Sequence, residues 1–128
     1  VSELSLQNAP WLSYAHDAAS LKGCDVLIVA VPTPVDAYNQ PDLRALKSAS
    51  AIAGRALRPG GLVIFESTVY PGTTEEVCGP IIAAVSGLTL NNDFYLGYSP
   101  ERINPGDPHH RITNIVKVTS GSSPETAD

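Results

Sequence analysis

The run GCDVLIVAVPTP, residues 23–34, limits the possible folds more than any other stretch of the chain. Val26–Val31 is continuous, aliphatic and largely β-branched, with no polar residue to mark a solvent face. A strand with one wet face alternates apolar and polar residues. A strand covered on both faces reads as an unbroken apolar run, and that pattern belongs to parallel sheets flanked by helices. Pro32 ends the run, because proline has no amide hydrogen to give to a ladder. The expectation is a central parallel strand over Val26–Val31, covered on both faces.

The segments that follow fit that expectation. In QPDLRALKSASAIAGRALRPGG, Pro41 and Asp42 suit a helix start. Leu43, Leu46, Ala49, Ala53 and Leu57 form an apolar stripe, and Pro59-Gly60-Gly61 stops the helix. LVIFES (Leu62–Ser67) is a second buried strand. In PGTTEEVCGPIIAAVSG, Thr73 and Glu76 have capping-box spacing, Val77, Ile81 and Val85 supply a buried stripe, and Gly79-Pro80 bends the helix. Asp93–Tyr98 (DFYLGY) and Ile115–Thr119 (IVKVT) read as third and fourth strands, Trp11–Tyr14 as a short one near the start, and Gly121–Glu125 as the cap of a last helix. Strand–helix–strand–helix–strand, with crossovers this long, gives an α/β fold with parallel pairing and right-handed connections.

Composition excludes several function classes. With 43% hydrophobic residues the chain can bury a core, yet no apolar run is long enough to span a membrane. No basic segment leads into an apolar stretch near Val1, so no secretory signal is expected. Eight Lys plus Arg stand against thirteen Asp plus Glu, a net charge of −5, and the basic residues are scattered. That distribution is no footprint for nucleic acid. Cys24 and Cys78 lack any CxxC or His-rich context and read as structural thiols of a cytosolic protein. Asp107, His109 and His110 lack a further ligand at suitable spacing, so no metal site is expected.

In a parallel α/β sheet, ligands bind outside the carboxyl ends of the strands. Three segments fall there: VPTPV (31–35), ESTVYPGTT (66–74) and YSPERINPGD (98–107). Each is rich in proline, glycine and hydroxyl residues. Ordinary turn chemistry would explain any one of them, but three stiffened loops on one edge point to a ligand site. Thr33, Ser67 and Thr68 offer neutral hydroxyls. Glu75 and Glu76 occupy the first turn of the helix after STVYPG, so its dipole already has a negative partner and a phosphate is disfavoured there. This loop is therefore expected to face a neutral group, such as a carboxamide or a sugar hydroxyl. Glu101 is a candidate general base and Arg102 a candidate clamp for an anionic group, with an exposed ion pair as the plainer alternative. Glu66, at a strand end, reads as a hydrogen-bonded structural carboxylate.

VPTP, ESTVYPGTTEE and YSPERINPG, in this order and at these separations, resemble the nucleotide-sugar 6-dehydrogenases, the UDP-glucose/GDP-mannose dehydrogenase family. The resemblance covers essentially the whole chain. The PERI form, followed by INPGD and HRITNI, is similar to the branch that oxidises UDP-N-acetylhexosamines to uronic acids for surface polysaccharides such as O-antigens and capsules. The resemblance implies a Rossmann-like sheet, NAD as cofactor, a UDP-sugar substrate, and a homo-oligomeric parent. It implies that Val31, Pro32, Thr33, Ser67, Thr68 and Val69 line the NAD site, with Thr68 also near the reacting C6 oxygen. Glu101 is implied as the acid/base that activates water, and Glu101, Arg102, Ile103 and Asn104 as substrate contacts. No GxGxxG occurs, and neither cysteine matches the family's nucleophile. Residues 1–128 then correspond to the second half of an NAD-binding domain, inactive alone and prone to self-association, with the Gly-rich turn, central helix and C-terminal domain outside them. A freestanding α/β binding module, or UDP-ManNAc or UDP-glucose as substrate, are the other readings.

Overall fold

The structure, a computed structural model, describes residues 9–102, 106 and 114–128. Four strands form one sheet in the order β1-β2-β3-β4: β1 (Val26–Val29), β2 (Gly61–Phe65), β3 (Phe94–Tyr98) and β4 (Ser120–Gly121). β1, β2 and β3 are parallel and in step, so that Val29 pairs with Phe65 and Phe65 with Tyr98 at their carboxyl ends. Two long helices, α1 (Arg44–Ala56) and α2 (Gly79–Ser86), supply the crossovers, and a short α3 (Pro124–Ala127) follows β4. Ser123 caps α3 by accepting the Thr126 amide, as the hydroxyl-rich segment before it leads one to expect.

Alternate strand residues build the core. Leu27 and Val29, Val63 and Phe65, and Phe94 and Leu96 all point to the face covered by α1 and α2, where Leu46, Ala53, Ala56 and Ile82 meet them. Each of these buried side chains contributes about 1.5–3 kcal/mol of transfer free energy where it is large and aliphatic or aromatic. The two helices pack closely because Gly54 has no side chain: a Cβ there would lie 2.3 Å from Val85 Cγ2 and 3.0 Å from the Ile82 carbonyl oxygen.

Several expectations need correction. β1 is not covered on both faces: Val26 and Ile28 are 47% and 61% exposed, and β1 is an edge of the described sheet. The run is apolar throughout, but only its Leu27/Val29 side meets a helix. Ile115–Thr119 is not a strand. Pairing with β3 begins one residue later, and antiparallel, at Ser120 opposite Tyr98. Trp11–Tyr14 is not a strand either; Trp11, Leu12 and Tyr14 are exposed and no neighbouring strand pairs with them among the described residues.

The segment after β2 also differs. Thr73–Cys78 is a π-helical turn, and α2 starts afresh at Gly79 with Pro80 in its first turn, where the missing amide hydrogen costs nothing. The buried positions are Cys78 and Ile82, one residue on from the expected stripe, since the wider π turn rotates the following face. No capping box forms: the Thr73 hydroxyl donates to the Tyr70 carbonyl at 2.7 Å, and Gly72 is the cap residue, at φ 88°.

Candidate functional site

The three proline-bounded loops leave the sheet side by side. The ladder runs one residue beyond the strands, with the Glu66 amide donating to the Val29 carbonyl and the Ser99 amide to the Phe65 carbonyl, each at 2.9 Å. Side chains then take over from backbone. The Ser67 hydroxyl, buried, donates to the Val31 carbonyl at 2.6 Å, and the Thr33 hydroxyl donates to the Thr68 carbonyl at 2.7 Å. These reciprocal ties lock VPTP to EST. On the other side, the buried Ser99 hydroxyl donates to the Val118 carbonyl at 3.0 Å, and Lys117 Nζ to Glu66 Oε1 at 2.6 Å.

The fixed loops leave a specific set of groups facing out. The Thr68 side chain is exposed and Val69 half-buried. Val69, Tyr70, Thr74, Glu75, Tyr98 and Ser120 line a hollow of ≈ 400 Å³ beside them. A second cleft of ≈ 490 Å³ shares Tyr98 and Ser120 and contains Glu66, Ser99 and Lys117. Ser67 differs from the expectation for a ligand hydroxyl: its proton is committed to Val31, leaving its backbone and oxygen lone pairs for any ligand. Thr33 is held in the same way by Thr68.

At the start of the helical turn, Glu75 and Glu76 are exposed, and a Cβ on Gly72 would lie 3.1 Å from the Glu76 carboxylate. That carboxylate folds back over the turn and meets the positive end of the helix. The surroundings of Thr68 and Val69 thus hold neutral donors and acceptors next to fixed negative charge.

Glu101 and Arg102 are both exposed and turn toward each other. The Arg102 amide donates to Glu101 Oε1 at 2.6 Å, and the Arg102 guanidinium to the Glu101 carbonyl at 3.2 Å. The carboxylate sits on the chain immediately after the buried Ser99-Pro100. Ile103 and Asn104, and Asp107, His109 and His110, lie outside the described residues. Among the described residues no group of three or more His, Cys, Asp or Glu could hold a metal, and no helix is long and apolar enough to cross a membrane.

Three residues of this edge escaped the reading of the sequence: Tyr98, Ser99 and Lys117. Ser99 carried a signal, as a hydroxyl residue directly before Pro100-Glu101. Lys117 carried none, since its partner Glu66 is far away in the chain.

The family model of the UDP-glucose/GDP-mannose dehydrogenase family, NAD binding domain, matches residues 6–128. The chain is 52% identical, over 99% of its length, to a UDP-N-acetyl-D-glucosamine 6-dehydrogenase of Salmonella typhi. It is 53% identical over its whole length to the protein of that name from Pseudomonas aeruginosa. It spans 30% of the length of each of these curated relatives. A solved UDP-D-ManNAc dehydrogenase from Pyrococcus horikoshii superposes with a TM-score of 0.77 at 35% identity, covering 87% of this chain and 26% of that one.

Proposed function

The chain belongs to the UDP-glucose/GDP-mannose dehydrogenase family, as part of its NAD-binding domain, and from that membership we propose that it serves a UDP-N-acetylhexosamine 6-dehydrogenase. The observation that carries this reading is the pair of relatives more than 50% identical over nearly every residue, both named UDP-N-acetyl-D-glucosamine 6-dehydrogenase. On this reading residues 1–128 form the second half of the NAD-binding domain. The Gly-rich turn, the central helix and the C-terminal domain belong to other parts of a longer polypeptide.

The residues of the loop edge then divide the work. Val31, Pro32 and Thr33, with Ser67, Thr68 and Val69, line the nicotinamide end of the cofactor site, and their neutral character suits a carboxamide. NAD bound there would supply the acceptor for hydride from C6 of the sugar. Thr68, with its exposed side chain, stands near the C6 oxygen or a water. Glu101 moves the proton of that water, and Arg102, Ile103 and Asn104 hold the substrate. The thiol of the reaction lies elsewhere, because Cys78 is fully buried and Cys24 precedes β1 on the helix-packed side of the sheet. Both thiols are free, which suits the cytosol. The parent polypeptide is a homo-oligomer, and the 128-residue chain alone self-associates through its open β1 edge.

The test is NADH formation by the full-length gene product with UDP-GlcNAc, UDP-GalNAc and UDP-ManNAc in turn. Turnover of UDP-GlcNAc or UDP-GalNAc is expected, with none from the 128 residues alone, and turnover of UDP-ManNAc alone would favour the other substrate reading. A full-length protein that oxidises none of them, or a fragment that oxidises any, overturns the assignment.

A further inference from the structure

The ion pair between Glu66 and Lys117 joins two segments that the proposed chemistry uses separately. Glu66 is the residue between β2 and Ser67-Thr68. Lys117 is the residue before Val118, whose carbonyl accepts the Ser99 hydroxyl, and Ser99 is followed by Pro100-Glu101. A short path therefore runs from Thr68 through Glu66 and Lys117 to Val118, and across to Ser99 and Glu101. Both charged side chains are only about one-third exposed, 32% for Glu66 and 33% for Lys117, so the pair is shielded more than an ordinary surface contact.

The segment that carries Lys117 has no regular structure of its own between Val116 and Thr119. Among the described residues, the Lys117–Glu66 and Ser99–Val118 contacts are the hydrogen bonds that tie this stretch to the sheet. Ser99 is buried, and the bond from its hydroxyl to the Val118 carbonyl couples its side chain to this stretch. Lys117 is thus next in the chain to the residue that holds the Ser99 hydroxyl, and Ser99 is two residues before Glu101.

We propose that Glu66 and Lys117 are positioning residues: a charged strut that sets the spacing between the Ser67-Thr68 loop and the Glu101 loop. This rests on the functional reading above. Small misplacement of reacting groups costs rate far more than it costs binding, so the strut shows itself in kcat.

The experiment uses the full-length gene product with NAD and UDP-GlcNAc, comparing wild type with Lys117→Met, Lys117→Arg and the charge-swapped pair Glu66→Lys/Lys117→Glu. Lys117→Met is expected to lower kcat by about ten- to a hundredfold with little change in KM. It should also speed amide hydrogen exchange at residues 67–69 and at Ser99, Glu101 and Arg102. Lys117→Arg and the swapped pair should each recover most of both losses. Unchanged kcat and exchange in Lys117→Met, or a swapped pair no better than the single variant, overturns the strut. A wild type that forms no NADH overturns the functional reading instead. In that case the exchange measurement alone decides the strut, by whether Lys117→Met loosens both loops and the swap tightens them.

Discussion

The Thr33 hydroxyl donates to the carbonyl oxygen of Thr68 at 2.7 Å, while the Ser67 hydroxyl returns a bond to the Val31 carbonyl at 2.6 Å. Two loops at the ends of adjacent parallel strands, 35 and 36 residues apart in the chain, thus hold each other by side chain to backbone. The first loop cannot give amide hydrogens to a ladder at Pro32 and Pro34, which have none. The hydroxyls replace the missing backbone bonds, and the outward groups of Thr68 and Val69 are thereby fixed before any ligand arrives.

Ser67→Ala removes one of these ties and leaves the half-buried Val31 carbonyl short of a partner. A loss of about 1 kcal/mol in unfolding free energy is expected, read from the urea midpoint at constant slope. A midpoint identical to wild type would mean that the Val31 carbonyl finds water instead.

Gly54 reports on the packing of α1 against α2. Gly54→Ala would raise helix propensity on an exposed face. Here its Cβ meets Val85 Cγ2 at 2.3 Å and backbone oxygen at 3.0 Å, so the helices must separate. A destabilisation of about 1–3 kcal/mol is expected by thermal or urea unfolding, and any stabilisation would contradict the described crossing.

The Cys78 thiol is pushed up from its ordinary pKa, chiefly by burial; a hydrogen bond with Ser50 works against the shift and the charge of Glu75 adds to it. Below about pH 8.5, the unperturbed value, both folded and unfolded states keep the proton and the shift contributes no pH dependence. Above it the unfolded chain releases the proton and the folded chain does not, so stability falls as pH rises toward the raised value. Wild type should therefore lose more stability than Cys78→Ala between neutral and alkaline pH. Thiol reagents should modify Cys78 only in denaturant; rapid labelling of the folded chain would contradict its burial.

The open edge makes a prediction about the 128 residues in isolation. Among the described residues β1 has no neighbour on one side, and Val26 and Ile28 are exposed. Unpaired strand edges with exposed apolar residues recruit other strands. Light scattering at rising concentration should show association, and a clean monomer throughout would count against it.

Much of this layout was legible in the residues, and the failures have physical causes. β-branched runs such as LVIF declare a strand through local chemistry alone, and the Leu46/Ala53 spacing declares a helix face. The proline-rich loops at the strand ends were legible because prolines and hydroxyls cluster where the strands end. Burial of the second face of β1 was not, since an apolar run states a capacity for burial and not what lies against it. IVKVT has strand-forming residues, yet Lys117 turns to Glu66 and Val118 to Ser99, and these distant contacts shift the pairing to Ser120. Thr73 and Glu76 had the spacing of a cap, but Gly72 at positive φ directs the Thr73 hydroxyl to Tyr70. Capping depends on that single dihedral, which spacing does not encode.

The central claim is that this loop edge serves the oxidation of a sugar alcohol to a carboxylate. That conversion removes two hydrides from C6, so its most direct test is a count of NADH formed per UDP-GlcNAc consumed by the full-length protein. Two equivalents, falling to a small fraction of the wild-type rate in Glu101→Gln with NAD binding retained, is the result this account predicts. No NADH, a single equivalent with the aldehyde released, or a Glu101→Gln variant as fast as wild type would contradict it.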